Sequence, residues 1–377
     1  MKYVLSVFSL LSLFLHAGPS TIPEVDMRDF YNPSKREAFI ETVRDALHEY
    51  GFFAVTNTGI DTSIIDHAFQ KAADFFSKPQ DVKNQYSGAF VNFQRGYAKN
   101  GTEEAKDSGV SDFKEFLHFG NEATEEYTPI YENIWPNEID MKETMQEYLE
   151  QLDKYKIEIG HVLALALGES EDFFDEMTSK GDNLLRAIHY PKIKFQTQER
   201  AIWAREHTDI DLFTILPKAT EDGLEVLLPT GVWHPIHVEG DAFIINAGDF
   251  LEIFSNGYFR SSVHRVLAPL NNREIERYSM VYFVHPSSNT ILSPLEKWVE
   301  NGVIKFATAT QKEMLMERLA DIGLASDEGL KFLAESKVLE RLMKVNRASV
   351  SAMKILRNKG LASDEILSYL KAHEENF

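Results

Sequence analysis

The 377 residues carry 59 acidic and 39 basic side chains, and the formal net charge of -20 repels nucleic acid phosphates and anionic membrane surfaces. With 44% hydrophobic residues and 26 phenylalanines the chain can build a sizeable core, and its complete lack of cysteine excludes disulfides and thiolate metal sites.

At the amino terminus, Lys2, an apolar run over residues 3–15 and the small residues Ala17 and Gly18 have the layout of a secretory signal. That run is too short for a stable membrane span, so residues 1–18 are expected to be a signal peptide and the protein exported to a periplasmic or extracellular location. A cytoplasmic location is the alternative, with the run buried in the mature protein.

Residues 19–130 read as an N-terminal region of opening strands and helices. Apolar spacing at Ala38, Val43 and Leu47, then at Ile64, Ile65, Ala68, Phe69 and Phe75, predicts helices over 34–50 and 61–86, the second stopping near Pro79. The polar, glycine-containing stretch 88–129 is expected to be irregular, with Phe90, Arg95 and Tyr97 as candidates for substrate contact. The spacing of Met141, Met145, Leu149, Leu152, Ile159, Leu163 and Leu167 predicts one long helix over 137–168.

Residues 131–305 hold that helix and a run of apolar strands. Strands are expected at 212–216 and 241–249, the latter closed by Gly248-Asp249, and a hairpin-like Asn256-Gly257 then delivers a strand through 261–266. The tail, 306–377, is expected to be a helical extension. Its segment Gly-Leu-Ala-Ser-Asp-Glu at 323–328 recurs at 360–365, each copy with a glycine to end one helix and a Ser or Asp to cap the next. Such helices could cover the rest of the molecule or join two copies into a homo-oligomer.

The strand-rich half carries the chemistry. His207 and Asp209 are two residues apart, a spacing that puts both side chains on one side of an extended chain, and His264 can reach them from a second strand. Two imidazoles and one carboxylate form the donor set that holds Fe(II) on one face and leaves the other positions open. Arg277 and Ser279 are also two apart, so a guanidinium and a hydroxyl can converge on one anion. His189, His234, His237 and His285 lie near these motifs and are read as packing or hydrogen-bonding histidines.

The ordered motifs HTDIDLFTIL at 207–216, INAGDFLEIFSNGYFRSSVHRV at 245–266 and RYSMVYFVHP at 277–286 resemble the isopenicillin N synthase-like family of 2-oxoglutarate and Fe(II)-dependent oxygenases. TIPEVDMRDF at 21–30, EYGFFAVTNTGI at 49–60 and the segment at 95–120 resemble that family's first half. The resemblance implies an α+β fold with a mainly β core, a double-stranded β-helix (jelly-roll) with flanking helices and the C-terminal helical extension. It further implies Fe(II) on His207, Asp209 and His264, 2-oxoglutarate held by Arg277, Ser279 and Tyr190, O2 as co-reactant and a small-molecule substrate that is hydroxylated as succinate and CO2 are released. Ile188 stands where many plant members carry asparagine, and Asp211 is unusual so close to the carboxylate ligand. Two alternatives stay open: a same-fold Fe(II) oxidase in which Arg277 and Ser279 hold the substrate's own carboxylate, and a non-catalytic binding or scaffold protein.

Overall fold

The computed structural model describes residues 21–103, 112–124, 127–193, 202–269 and 274–373; the signal-like segment lies outside them. The first half runs β1 (Glu24–Asp26), α1 (Met27–Phe30), α2 (Arg36–Glu49), β2 (Phe52–Thr56), α3 (Thr62–Phe76), α4 (Gln80–Asn84), β3 (Gly96–Ala98), β4 (Glu115–Gly120), α5 (Lys142–Leu167) and α6 (Asp175–Ser179). The second half supplies β5 (Leu184–Tyr190), β6 (Ile202–His207), β7 (Phe213–Leu216), β8 (Leu224–Leu227), β9 (Trp233–Pro235), β10 (Phe243–Ala247), α7 (Asp249–Phe254), β11 (His264–Leu267), β12 (Arg277–Val284) and β13 (Ile291–Leu292). The tail follows as β14 (Ala309–Thr310), α8 (Gln311–Asp321), α9 (Asp327–Ser336), α10 (Val338–Met343), α11 (Val350–Asn358) and α12 (Asp364–His373).

Two sheets form the double-stranded β-helix. The larger has the order β1-β2-β10-β7-β12-β5-β4-β3 and the smaller the order β6-β11-β8-β9. Period-2 geometry sends alternate side chains of one strand to two different cores. Phe53 and Val55 of β2 join the cluster under the helices, whereas Phe52 and Ala54 join the cluster between the sheets, with Ile188, Leu216, Val226 and Val266. Both faces of the large sheet are therefore covered, which explains why its strands read as continuous apolar runs.

Helix α5 backs the large sheet, as its periodicity anticipates. Met145, Leu149, Leu152, Ile159 and Leu163 are buried along it, and Gly168 at φ 81° ends it in the left-handed conformation that only glycine adopts at low cost. The second predicted helix stops at Phe76, and Pro79 stands at the N-cap of α4.

Two expectations are corrected. Residues 88–129 are not wholly irregular: β3 and β4 extend the large sheet, Phe116 pairing with Ile188 and Tyr97 with Leu117. Every residue of β4 is buried, so no alternation of polarity marks it as a strand. The Asn256-Gly257 pair makes no hairpin either. Phe250, Leu251, Ile253 and Phe254 are buried on α7, and Asn256 (φ 50°) and Gly257 (φ 82°) turn the chain after that helix.

In the tail, both repeated segments cap as the sequence suggests. Gly323 (φ 75°) follows α8 and Ser326 accepts the Gly329 N–H at the start of α9; Gly360 (φ 70°) follows α11 and Ser363 accepts the Ile366 N–H. The tail helices share their own apolar cluster, which includes Leu330, Leu339, Met353, Leu356 and Ile366.

Candidate active site

His207 closes β6 and His264 opens β11, and the two are direct partners in the antiparallel register. Their rings lie 4.3 Å apart between centroids. Asp209 is not on the strand, as its spacing from His207 suggested; it sits just beyond the end of β6, where its carbonyl accepts the Asp249 N–H at 2.8 Å. This turn aims Asp209 Oδ1 back at the imidazoles, 3.9 Å from His207 Nε2 and 3.7 Å from His264 Nε2. Among the described residues, these three form a group whose potential ligand atoms all lie within 4.8 Å of one another.

The hydrogen bonds around the group suit metal ligation. His207 Nδ1 donates to the Arg205 carbonyl at 2.7 Å and His264 Nδ1 to the Ser262 carbonyl at 3.1 Å, leaving both Nε2 lone pairs pointing inward. Removal from water, then the charges of His264 and Lys114, push His207 down to about 4, so it is neutral at pH 7. Burial raises the Asp209 carboxyl, but His264 and His207 and the hydrogen bonds from Asn246 and Thr214 outweigh it and hold Asp209 below its ordinary value. Asp209 Oδ2 accepts from Thr214 Oγ1 at 2.7 Å and from Asn246 Nδ2 at 2.9 Å, so Oδ1 is left for a metal.

Asp211 is fully buried and does not face solvent. Its Oδ2 lies 2.8 Å from Thr214 Oγ1, the same hydroxyl that serves Asp209. A hydroxyl has one proton, so one of the two carboxyls must be protonated. Burial and the neighbouring Asp209 charge raise Asp211 well above the usual carboxylate range, which makes it the protonated one.

Arg277 and Ser279, 3% and 2% exposed on β12, line one cavity together with His207, Asp209 and His264. Tyr190 is the register partner of Arg277, and Ile188 that of Ser279. Arg277 Nε donates to the Glu221 carbonyl at 2.9 Å, whereas its Nη1 is buried with no partner among the described residues. Burial lowers Arg277 from its ordinary value and the Tyr190 hydroxyl opposes that shift; guanidinium stays charged at any ordinary pH. A buried guanidinium edge with an unfilled donor, between apolar walls, suits a carboxylate.

On the outer side of the metal-ligand group a second cavity is lined by Phe93, Leu184, Phe283, Leu315, Leu319 and Ile322, with Lys114, His118, Arg186 and His285 among its polar groups. Lys114 is neutralised by Glu103 and Asp112, each at 2.7 Å. His118 Nδ1 donates to the Phe93 carbonyl, which leaves its Nε2 to accept from Arg186 Nε. Of the sequence candidates for substrate contact, Phe90 is 79% exposed, Arg95 is buried against Asp182 and Tyr97 is bonded to Glu115. None lines this cavity; Phe93 and Gln94 do. His189 is paired with Glu115 and His234 with the Thr21 carbonyl, so these two are hydrogen-bonding histidines, as expected.

The family model described as the 2OG-Fe(II) oxygenase superfamily matches residues 181–286, and that described as the non-haem dioxygenase in morphine synthesis N-terminal region matches residues 22–138. The chain is 30% identical to the 2-oxoglutarate-dependent dioxygenase traH of Penicillium crustosum over 278 residues, which cover 70% of this chain and 84% of that protein. The chain belongs to the 2OG-Fe(II) oxygenases.

A solved member of this oxygenase family from Caulobacter crescentus is 32% identical, with a TM-score of 0.71 over 80% of this chain and 99% of that one. A Neurospora crassa enzyme solved with alpha-KG and thymine is 26% identical, with a TM-score of 0.71 over 79% of this chain and 96% of that one. This oxygenase thus uses Fe(II), 2-oxoglutarate and O2, and the oxidase and scaffold alternatives are not favoured. Its two imidazoles, its carboxylate with one free oxygen and its buried guanidinium edge fit those groups.

Thr214 and Asn246 were missed from sequence, although a signal was present: each is a lone polar residue inside an apolar strand run, FTIL and FIINA. Buried polar side chains in such places need a partner, and here the partner is Asp209.

Proposed function

We propose that this oxygenase hydroxylates a small molecule with an apolar body and one hydrogen-bonding edge, using Fe(II) held by His207, Asp209 and His264 and 2-oxoglutarate held by Arg277, Ser279 and Tyr190. The observation that carries the reading is the placement of the buried Arg277 Nη1, without a partner among the described residues, in the same cavity as His207, Asp209 and His264. When bound, the metal would let O2 act as the oxidant of both organic partners, one oxygen atom ending in succinate as 2-oxoglutarate loses CO2 and the other in the hydroxyl that replaces a substrate C–H bond.

The chain's own residues bind, orient and exclude water. Arg277 neutralises one carboxylate of the cosubstrate, and Ile188, Leu216 and Val266 keep solvent from it. Phe93, Phe283, Leu315 and Leu319 offer an apolar seat on the outer side, and Arg186, oriented by its hydrogen bond to His118, supplies the polar edge. No helix among the described residues is long and apolar enough to cross a membrane.

The test is an anaerobic titration of 2-oxoglutarate into the Fe(II)-loaded protein, followed by admission of O2. A visible charge-transfer band and then succinate are expected. Metal uptake without either would return the oxidase reading, in which the Arg277 site takes the substrate's carboxylate.

We further propose that the oxygenase is exported, on the strength of Lys2, the apolar run at 3–15 and the small residues Ala17 and Gly18. Mass spectrometry of the amino terminus after expression in a secreting bacterial host is the check. An intact Met1 or Lys2 in a wholly cytoplasmic product would overturn it.

A further inference from the structure

Helix α8 presents two faces. Leu315, Arg318, Leu319 and Ile322, at i, i+3, i+4 and i+7, line the outer cavity. From the other side Glu317 and Asp321 receive the N–H and hydroxyl of Ser349, at 3.1 and 2.6 Å, and so tie α8 to the cap of α11. The first tail helix is therefore a wall of the substrate cavity as well as part of the tail's own core.

One side chain joins that wall to the metal-ligand turn. Arg318 Nη1 donates to the carbonyl of Thr208 at 2.7 Å, and its Nη2 reaches Thr208 Oγ1 at 3.2 Å and Asp249 Oδ2 at 2.7 Å. Thr208 lies between His207 and Asp209 in the chain, and the Asp249 N–H holds the Asp209 carbonyl at 2.8 Å. The guanidinium thus clamps the peptide that separates two ligands to the helix that steadies the second. Its side chain is only 13% exposed, so the pairing with Asp249 is shielded from solvent and worth more than a surface ion pair.

Resting on the metal site assigned above, we propose that Arg318 is a positioning residue of the metal centre, which it latches to the C-terminal helices through Thr208 and Asp249. Binding at one end then favours order at the other, because anything that fixes the turn from His207 to Asp209 also fixes the groups Arg318 grips. Linkage requires the effect to run both ways: metal steadies α8, and a docked α8 steadies metal.

The experiment uses the full chain and Co(II) as the probe, read by affinity, by the visible absorption of the bound ion and by hydrogen exchange over residues 311–321. In wild type, Co(II) is expected to slow that exchange. Arg318→Met is expected to weaken Co(II) about tenfold or more, the usual scale for a group that orients ligands, to change the Co(II) spectrum and to abolish the slowing. Arg318→Lys, which keeps the charge but not the fork, should recover part of the affinity. Arg341→Met is the control, since Arg341 pairs with Glu313 of α8 at 2.6 Å within the tail and does not touch Thr208.

Co(II) affinity and spectrum unchanged in Arg318→Met, or an equal loss in Arg341→Met, would overturn the latch. If Arg318→Met does not yield folded protein, Arg318→Lys against wild type decides: an intermediate affinity with an altered spectrum supports the latch, and wild-type values overturn it. Failure of the metal site itself looks different, because Co(II) would then bind equally well to His207→Ala.

Discussion

The guanidinium carbon of Arg277 lies 4.9 Å from the ring centroid of Tyr190, its register partner across β12 and β5. The ring takes one face of the guanidinium and the Glu221 carbonyl takes Nε, so the remaining edge has a fixed direction before any ligand arrives. Arg277→Ala is expected to raise the 2-oxoglutarate concentration for half-saturation roughly 100-fold, about 3 kcal/mol, with a smaller loss of kcat at saturation. Tyr190→Phe keeps the ring face and should cost no more than about threefold. Saturation curves for succinate formation give both values, and an Arg277→Ala curve that overlays wild type would remove the carboxylate clamp.

Asn246 and Thr214 hold Asp209 Oδ2 from the strands β10 and β7. Substitution of a metal-ligating side chain, as in His264→Ala or Asp209→Ala, is expected to abolish Fe(II) binding. Asn246→Ala should weaken it by about 10–100-fold while the fold persists, because the carboxylate is left free to rotate. Equilibrium dialysis under anaerobic conditions distinguishes the two grades of effect.

The shared Thr214 hydroxyl makes a specific demand on Asp211. A neutral Asp211 can be replaced by asparagine, whose amide donates where the carboxyl proton did, so Asp211→Asn should change stability by less than about 1 kcal/mol. Asp211→Ala should cost about 2–3 kcal/mol, since it leaves a buried hydroxyl with one partner and opens a hole. Gly248→Ala should be at least as damaging: its Cβ would stand 1.9 Å from Asp211 Oδ1 and 2.3 Å from the Asp211 carbonyl oxygen. Urea denaturation of the three variants tests the order.

His285 gives the apo protein a pH dependence. Burial pushes it from the ordinary 6.5 down to about 4, so the unfolded chain binds a proton between those values that the folded one refuses. Its contribution is present above pH 6.5 and is lost as pH falls toward 4, at most about 3 kcal/mol by linkage. His285→Gln should make the denaturation free energy less steep in that window, where buried His207 contributes as well. An equal slope in the variant would assign the acid sensitivity to other groups.

Much of the site was legible in the chain because its chemistry is local. The pair His207 and Asp209 and the pair Arg277 and Ser279 are each two residues apart, and their residue types restrict what they can bind. The helices over α2, α3 and α5 were legible from apolar periodicity, and the tail caps from Gly and Ser. Strand β4 was not, because a segment buried on both faces shows no alternation, and Asn256-Gly257 misled because the same pair that turns a hairpin also follows a helix.

By itself the sequence determined the candidate donor set, the close spacing of Arg277 and Ser279 and the run of apolar strands around them, since these follow from side-chain chemistry and short-range spacing. Tertiary structure alone decided that Asp209 reaches the imidazoles from a turn and that Asn246, 37 residues away, steadies it. It also decided that Arg318, 110 residues from Thr208, clamps the metal-ligand turn. Contacts of that kind form only when the sheet rolls up and the tail packs back, and a buried polar group announces its need for a partner without naming which distant residue will meet it.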